Sequence, residues 1–317
     1  MSDSNNDTFF FLTDLPGLEA MHAWLSIPLC VMYVASLAGN SLILWLVRSE
    51  PSLHQPMYYF LPMLALTDLG LSASMMPTMI NIYMLHLRQV AVEVCLAQLF
   101  FIHSFSIMES SVLLTMAFDC FVAICSPFHY GTILRNTRVA SLGLAIVVRG
   151  IGLLIPAPIM LKKLPYCRNH LLSPSYCLHP DVMKLSCADT RINSTYGLFV
   201  MISTLCLDSV LVVLSYGLIL QTVLSITSKA EGLKALNTCV SHICAVLLFY
   251  VPTIGLSVIH RFEKPSAFSC VLLSYLHYVL SPFLNPIVYT IKTKQIRLKM
   301  LPLFRRSRID KMDKEHH

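Results

Sequence analysis

A chain of 317 residues that is 56% hydrophobic and only 13% charged falls far below the roughly 25% charged residues of a soluble domain. That deficit excludes an ordinary water-soluble fold. The net charge of +6 reflects topology and attraction to anionic lipid, and leaves no case for nucleic acid.

The first 23 residues hold Asp3, Asp7, Asp14 and Glu19 and no Lys or Arg. They form an outer tail without the basic start and cleavage site of a signal peptide, so the first span is expected to act as the insertion signal. Trp24 to Val47 then carries no charge at all, and is longer than the ~20 residues that cross a hydrocarbon core. Further apolar stretches run over 57–85, 95–124, 139–161 and 195–226 with one or two charges each, and over 235–259 and 267–291 with none. Lipid offers the backbone no outside partner, so each stretch must be a helix. The sequence therefore predicts an all-α membrane protein with seven spans over residues 24–291.

Lys and Arg between the spans set the orientation. With the N-terminus outside, the inner segments hold 14 basic residues and the outer ones eight, five of these in the long loop from Lys162 to Ser194. The plasma membrane is the expected location, with a basic cytoplasmic tail over 292–317. Between Lys292 and Phe304 basic and apolar residues alternate, which suits a short amphipathic helix on the inner leaflet. Four cysteines fall outside, Cys95, Cys167, Cys177 and Cys187, and they permit three pairings. Of two outer sequons, Asn6 is the better glycosylation candidate and Asn193 lies close to the fifth span.

No duplicated half points to a transporter. No His-Glu-x-x-His or Gly-x-Ser-x-Gly string marks an enzyme.

Six strings carry a more specific reading: Leu53-His54-Gln55-Pro56-Met57-Tyr58, Met116-Ala117-Phe118-Asp119, Val122-Ala123-Ile124-Cys125, Ser215-Tyr216, Lys234 to His242, and Asn285-Pro286-Ile287-Val288-Tyr289. In this order and spacing the chain resembles the odorant receptors of the rhodopsin-like G-protein-coupled class, from about Pro16 to Arg297. His179 to Lys184 and Ser257 to Phe262 resemble the fish-like class I group. The resemblance implies a small-molecule odorant, carboxylic acids prominent among them, and a heterotrimeric G protein of the stimulatory olfactory type. It also implies the disulfides Cys95–Cys177 and Cys167–Cys187.

Arg261 ends the sixth span on the outer side, where its guanidinium can grip a carboxylate through two parallel hydrogen bonds. The blander reading is a snorkelling Arg, or one paired with Asp181 or Glu263. His103, Ser257 and His179 are candidates to line the same cavity, although a hydrogen-bonded packing histidine is the commoner outcome for His103. Asp68 and Glu109 are expected at similar depth, and two close carboxylates cannot cheaply both ionise. A shared proton, a purely structural pair or a hard cation all answer this. No cofactor is expected; among these options the resemblance favours a structural sodium ion, with Asn40, Ser281 and Asn285 as candidate neighbours. Asp208 and Arg149 have no assigned role at this stage.

Pro252 and Pro286 break helix ladders; Pro286, followed by Tyr289, reads as a switch rather than a static bend. The resemblance puts Asp119, Cys120, Phe121, Tyr216, His242, Asn285, Pro286 and Tyr289 in activation and coupling. One departure stands out: relatives carry Asp-Arg-Tyr where this chain has Asp119-Cys120-Phe121. A thiol replaces neither contact of the missing arginine, so a ligand binder with impaired coupling is the alternative function, and a transporter a remote one.

Overall fold

The computed structural model describes residues 9–12, 22–85, 87–167, 171–172, 176–225, 229–262, 267–292 and 296–299. Seven helical rods form a bundle. The first three are single helices, His22–Ser49, Pro56–Leu85 and Val92–Cys125. The fourth runs through Asn136–Gly152 and, after a break, Pro156–Lys162. Pro156 lacks the N–H an unbroken helix would use, so the chain restarts there. The fifth comprises Arg191–Met201, a π turn at Ile202–Cys206 and Leu207–Ser225. The sixth is Lys229–Phe262. The seventh comprises Ala267–Tyr275, a π turn at Leu276–Leu280 and Ser281–Lys292.

Among the described residues, six of these rods are long and apolar enough to cross a membrane. The seventh closes the bundle against the first, second and sixth. Several helices outrun the apolar stretches that announce them. The third is 34 residues long, about 51 Å at 1.5 Å per residue, well beyond a ~30 Å hydrocarbon core. The third is also the axis: 67% of its most apolar stretch is buried, against 22% for the fifth. Elsewhere Trp45, Leu66, Leu144, Val213 and Leu247 are exposed, the pattern of rods whose outer faces meet acyl chains.

Glycine lets two rods approach closely. A Cβ on Gly39 would lie 2.9 Å from Pro286 Cβ, so Pro286 of the seventh rod packs against bare backbone of the first. A Cβ on Gly150 would lie 2.6 Å from Met108 Cγ and 3.1 Å from the Ser104 carbonyl, which sets the contact of fourth and third rods.

The outer face departs from an all-helical reading. Phe9–Leu12 forms a strand, β1, antiparallel to β2 (Gln89–Ala91) and parallel to β3 (Leu171–Leu172). Phe10 and Leu12 point into the core while Phe9 and Phe11 are exposed. Part of the outer tail is thus a lid strand. Beside it, disulfides join Cys95 to Cys177 (Cα–Cα 5.5 Å) and Cys167 to Cys187 (Cα–Cα 5.8 Å). At the inner end residues 296–299 are helical, Ile296 is buried, and Lys299 Nζ lies 2.6 Å from Glu50. The rest of the tail, from Met300, lies outside the described residues.

Candidate functional site

Beneath the outer lid lies a cavity of about 230 Å³ between the third, fourth, fifth and sixth rods. Its wall includes His103, His179 and Ser257, three residues singled out in the sequence and here brought together. His103 comes from the third rod. His179 begins the short loop helix His179–Lys184, two residues past Cys177, which the disulfide ties to the head of the third rod. Gly197 makes room for that imidazole, since a Cβ there would lie 3.2 Å from His179 Cε1. Ser257 Oγ is engaged, donating to the Thr253 carbonyl at 2.8 Å. His103 Nε2 and His179 Nε2 are buried with no hydrogen-bond partner. Burial pushes His179, which lies outside the membrane spans, down to about 4, so it is neutral at pH 7. Arg261 belongs to the last turn of the sixth rod, with a side chain outside the described residues; Asn6 lies outside them altogether. Asp181, one alternative partner for Arg261, accepts from Lys184 Nζ at 2.7 Å.

Behind the cavity wall lie groups to which the sequence assigned no role. His277, in the π turn of the seventh rod, contacts Ser106 Oγ through Nε2 at 3.2 Å and Thr253 Oγ1 through Nδ1 at 3.1 Å. The only signal was a histidine in an uncharged span. Below it, Arg149 and Asp208 pair. Arg149 donates to Asp208 Oδ2 at 2.8 Å and Oδ1 at 2.9 Å, to Ser111 Oγ at 2.6 Å and to the Ser203 carbonyl at 2.8 Å. Ser203 lies in the π turn of the fifth rod, a feature frequent at functional sites. Ser110 joins this pair to the sixth rod: its hydroxyl donates to Asp208 Oδ2 at 2.8 Å and lies 2.9 Å from Tyr250 Oη. Ser110 also faces the cavity, so one side chain touches both the cavity and the polar core.

Deeper still, Asn285 Nδ2 donates to Asp68 Oδ1 and Oδ2 at 3.2 and 3.1 Å, and Ser281 Oγ to Glu109 Oε1 at 3.3 Å. Glu109 Oε2 and Asn285 Oδ1 are buried without donors. Two oxygens short of a positive partner suit a hard cation or a proton. The Asn40 amide Nδ2 donates to the Ser36 and Pro282 carbonyls, both at 3.0 Å.

At the inner mouth Tyr130 Oη donates to Asp119 Oδ1 at 2.7 Å. Cys120 Sγ lies 3.1 Å from His242 Nδ1, and the His242 ring sits 5.9 Å from that of Tyr289. Tyr289 Oη reaches Met116 Sδ at 4.0 Å, while Tyr216 Oη is buried with no partner. Phe121 packs half-buried beside Cys120. On the outside, Asn193 is buried.

The bundle is the fold of the rhodopsin-like seven-helix receptors. It is similar to squid rhodopsin, with a TM-score of 0.73 over 91% of this chain and 81% of that one at 15% identity. The family model for olfactory receptors matches residues 29–306. Relatives include the human (Homo sapiens) olfactory receptor 51G2, 56% identical over 96% of this chain and 97% of that one, and human olfactory receptor 51L1, 52% identical over 96% and 98%. The chain belongs to the olfactory receptor family, and its class I features agree with these relatives. It is a multi-pass plasma-membrane G-protein-coupled receptor, a member of a non-enzyme family whose partners are an odorant and a G protein.

Proposed function

We propose that this receptor takes a small carboxylate-bearing odorant into the outer cavity and activates a heterotrimeric G protein of the stimulatory olfactory type. The observation that carries the reading is the pair of unpartnered imidazole nitrogens, on His103 and His179, in one small cavity. Buried polar atoms without partners are rare, and an imidazole N–H is a good donor to a carboxylate oxygen. Arg261, one helical turn beyond Ser257 at the outer end of the sixth rod, adds the formal charge an anion needs. Phe249 and Leu256 offer the apolar wall for an alkyl chain. At about 230 Å³ the cavity falls below the ~300–1,000 Å³ of drug-sized sites, which favours short and medium chains.

Occupancy draws the outer end of the sixth rod toward the acid. Pro252 interrupts the hydrogen-bond ladder inside this rod, so its inner end can swing relative to the third rod, where Cys120 meets His242. The Ser110–Tyr250 contact lies on the way. A sodium ion between Asp68 and Glu109 fits the two donorless oxygens and would supply charge that holds the resting packing. Saturating sodium should therefore weaken agonist potency, and the dependence should vanish in Asp68→Asn.

The test is a panel of carboxylic acids of increasing chain length in a cAMP assay on wild type, Arg261→Ala and His103→Ala. Each charge-assisted bond is worth about 1.5–3 kcal/mol, a loss of roughly 10- to 150-fold in potency. Equal activation of all three proteins by acids would remove the anion clamp. A second reading rests on Cys120: a thiol cannot make the ionic contacts of an arginine, and acid binding without nucleotide exchange would establish a non-coupling binder.

A further inference from the structure

At the inner mouth the third and sixth rods meet through sulfur. Cys120 of the third and Cys239 of the sixth pack in one buried cluster with Ile219 and Val223. Neither is in a disulfide. His242 lies one turn beyond Cys239, with its Nδ1 3.1 Å from Cys120 Sγ. Tyr216 of the fifth rod packs against the same cluster. Among the described residues no three metal-binding side chains converge on one point, so the chemistry on offer is that of a thiol pair beside a base.

We propose that Cys120 and Cys239 form a reversible disulfide when the cell meets peroxide, and that this bond ties the sixth rod to the third and holds the receptor at rest. The inference rests on the fold and does not depend on which odorant fills the cavity. Cys120 stands where the resemblance puts an arginine that latches onto the sixth helix at rest. A covalent latch would restore that contact, but only under oxidation.

The chemistry balances. His242 accepts the Cys120 proton, the thiolate sulfur attacks one peroxide oxygen, the O–O bond breaks, and hydroxide leaves to become water. The resulting sulfenic acid is attacked by Cys239; the S–S bond forms, the S–O bond breaks, and a second water departs. Two thiols lose two electrons and two protons, and one hydrogen peroxide becomes two waters. Exposures of 4% for Cys120 and 0% for Cys239 admit only an oxidant as small as peroxide. Cytosolic thiol–disulfide exchange returns the pair to the reduced state, as expected of a transient bond in a reducing compartment.

The test uses the full-length receptor with a protease site placed at residues 226–228, between the fifth and sixth rods. Both outer disulfides lie wholly in the N-terminal piece, so they cannot join the two halves. Cells are treated with hydrogen peroxide, alkylated, cleaved and run without reductant. The wild-type halves are expected to migrate together, and to separate in Cys120→Ser, in Cys239→Ser and after reduction. Cys125→Ser should behave as wild type, and surface staining of each variant checks that it folds. Halves that separate in treated wild type, or stay joined in Cys239→Ser, overturn the bond. The ratio of constitutive cAMP after and before peroxide should fall several-fold in wild type and stay near one in Cys239→Ser. Equal ratios in the two proteins overturn the latch.

Discussion

The Arg149–Asp208 pair allows the most quantitative prediction. Asp208 has a side-chain exposure of 2% and Arg149 of 27%, so the two partners are not equivalent. Replacing Arg149 by Met strands a buried carboxylate with Ser110 as its remaining hydrogen-bond donor. Breaking a buried pair from one side costs about 3–5 kcal/mol, a fall in melting temperature on the order of 10 °C for a protein of this size. Replacing Asp208 by Asn leaves an Arg that reaches the bundle surface and keeps Ser111 and the Ser203 carbonyl. Its loss should be smaller, about 1–3 kcal/mol. The double variant Arg149→Met, Asp208→Leu removes both charges and should recover most of the stability, since apolar pairs commonly match buried ion pairs. Thermal unfolding of purified receptor in lipid nanodiscs measures all three. Equal damage from both single changes, or a double variant at the sum of the two, would refute the reasoning.

Other predictions follow from the same packing. Gly150→Ala should drive the fourth rod away from the Ser104 carbonyl and cut surface expression, measured by antibody to an N-terminal tag, while Gly152→Ala, with open space around it, should not. His179 sits at about 4 in the folded loop against ~6.5 unfolded, so the unfolded loop binds more protons between these values. The lid should lose stability as pH falls from about 6.5 toward 4, seen as faster hydrogen exchange over 179–184, and His179→Gln should abolish that trend. Restoring Arg at Cys120 should raise basal and evoked cAMP; unchanged signals in both would make the arginine dispensable here.

The helical architecture was legible because hydrocarbon leaves the backbone no alternative, so each span appears as an uninterrupted apolar run. The inner extensions, such as the turns from Lys229 to Lys234, were not, because they continue as polar helix once clear of lipid. The lid strand was hidden as well: Phe9-Phe10-Phe11-Leu12 shows no alternation of residue type, and only pairing with Gln89–Ala91 separates its faces. At the site, His103, His179 and Ser257 were legible as residues near the outer ends of their elements. The Arg149–Asp208 pair was visible only as two lone opposite charges 59 positions apart, and nothing in a sequence fixes the rotation of one rod against another.

The most direct measurement is nucleotide exchange on a purified stimulatory G protein by the receptor in nanodiscs, with and without a panel of short and medium carboxylic acids. The account predicts exchange that rises with acid and collapses in Arg261→Ala. Exchange indifferent to every acid, or acid binding that never accelerates exchange, would contradict it.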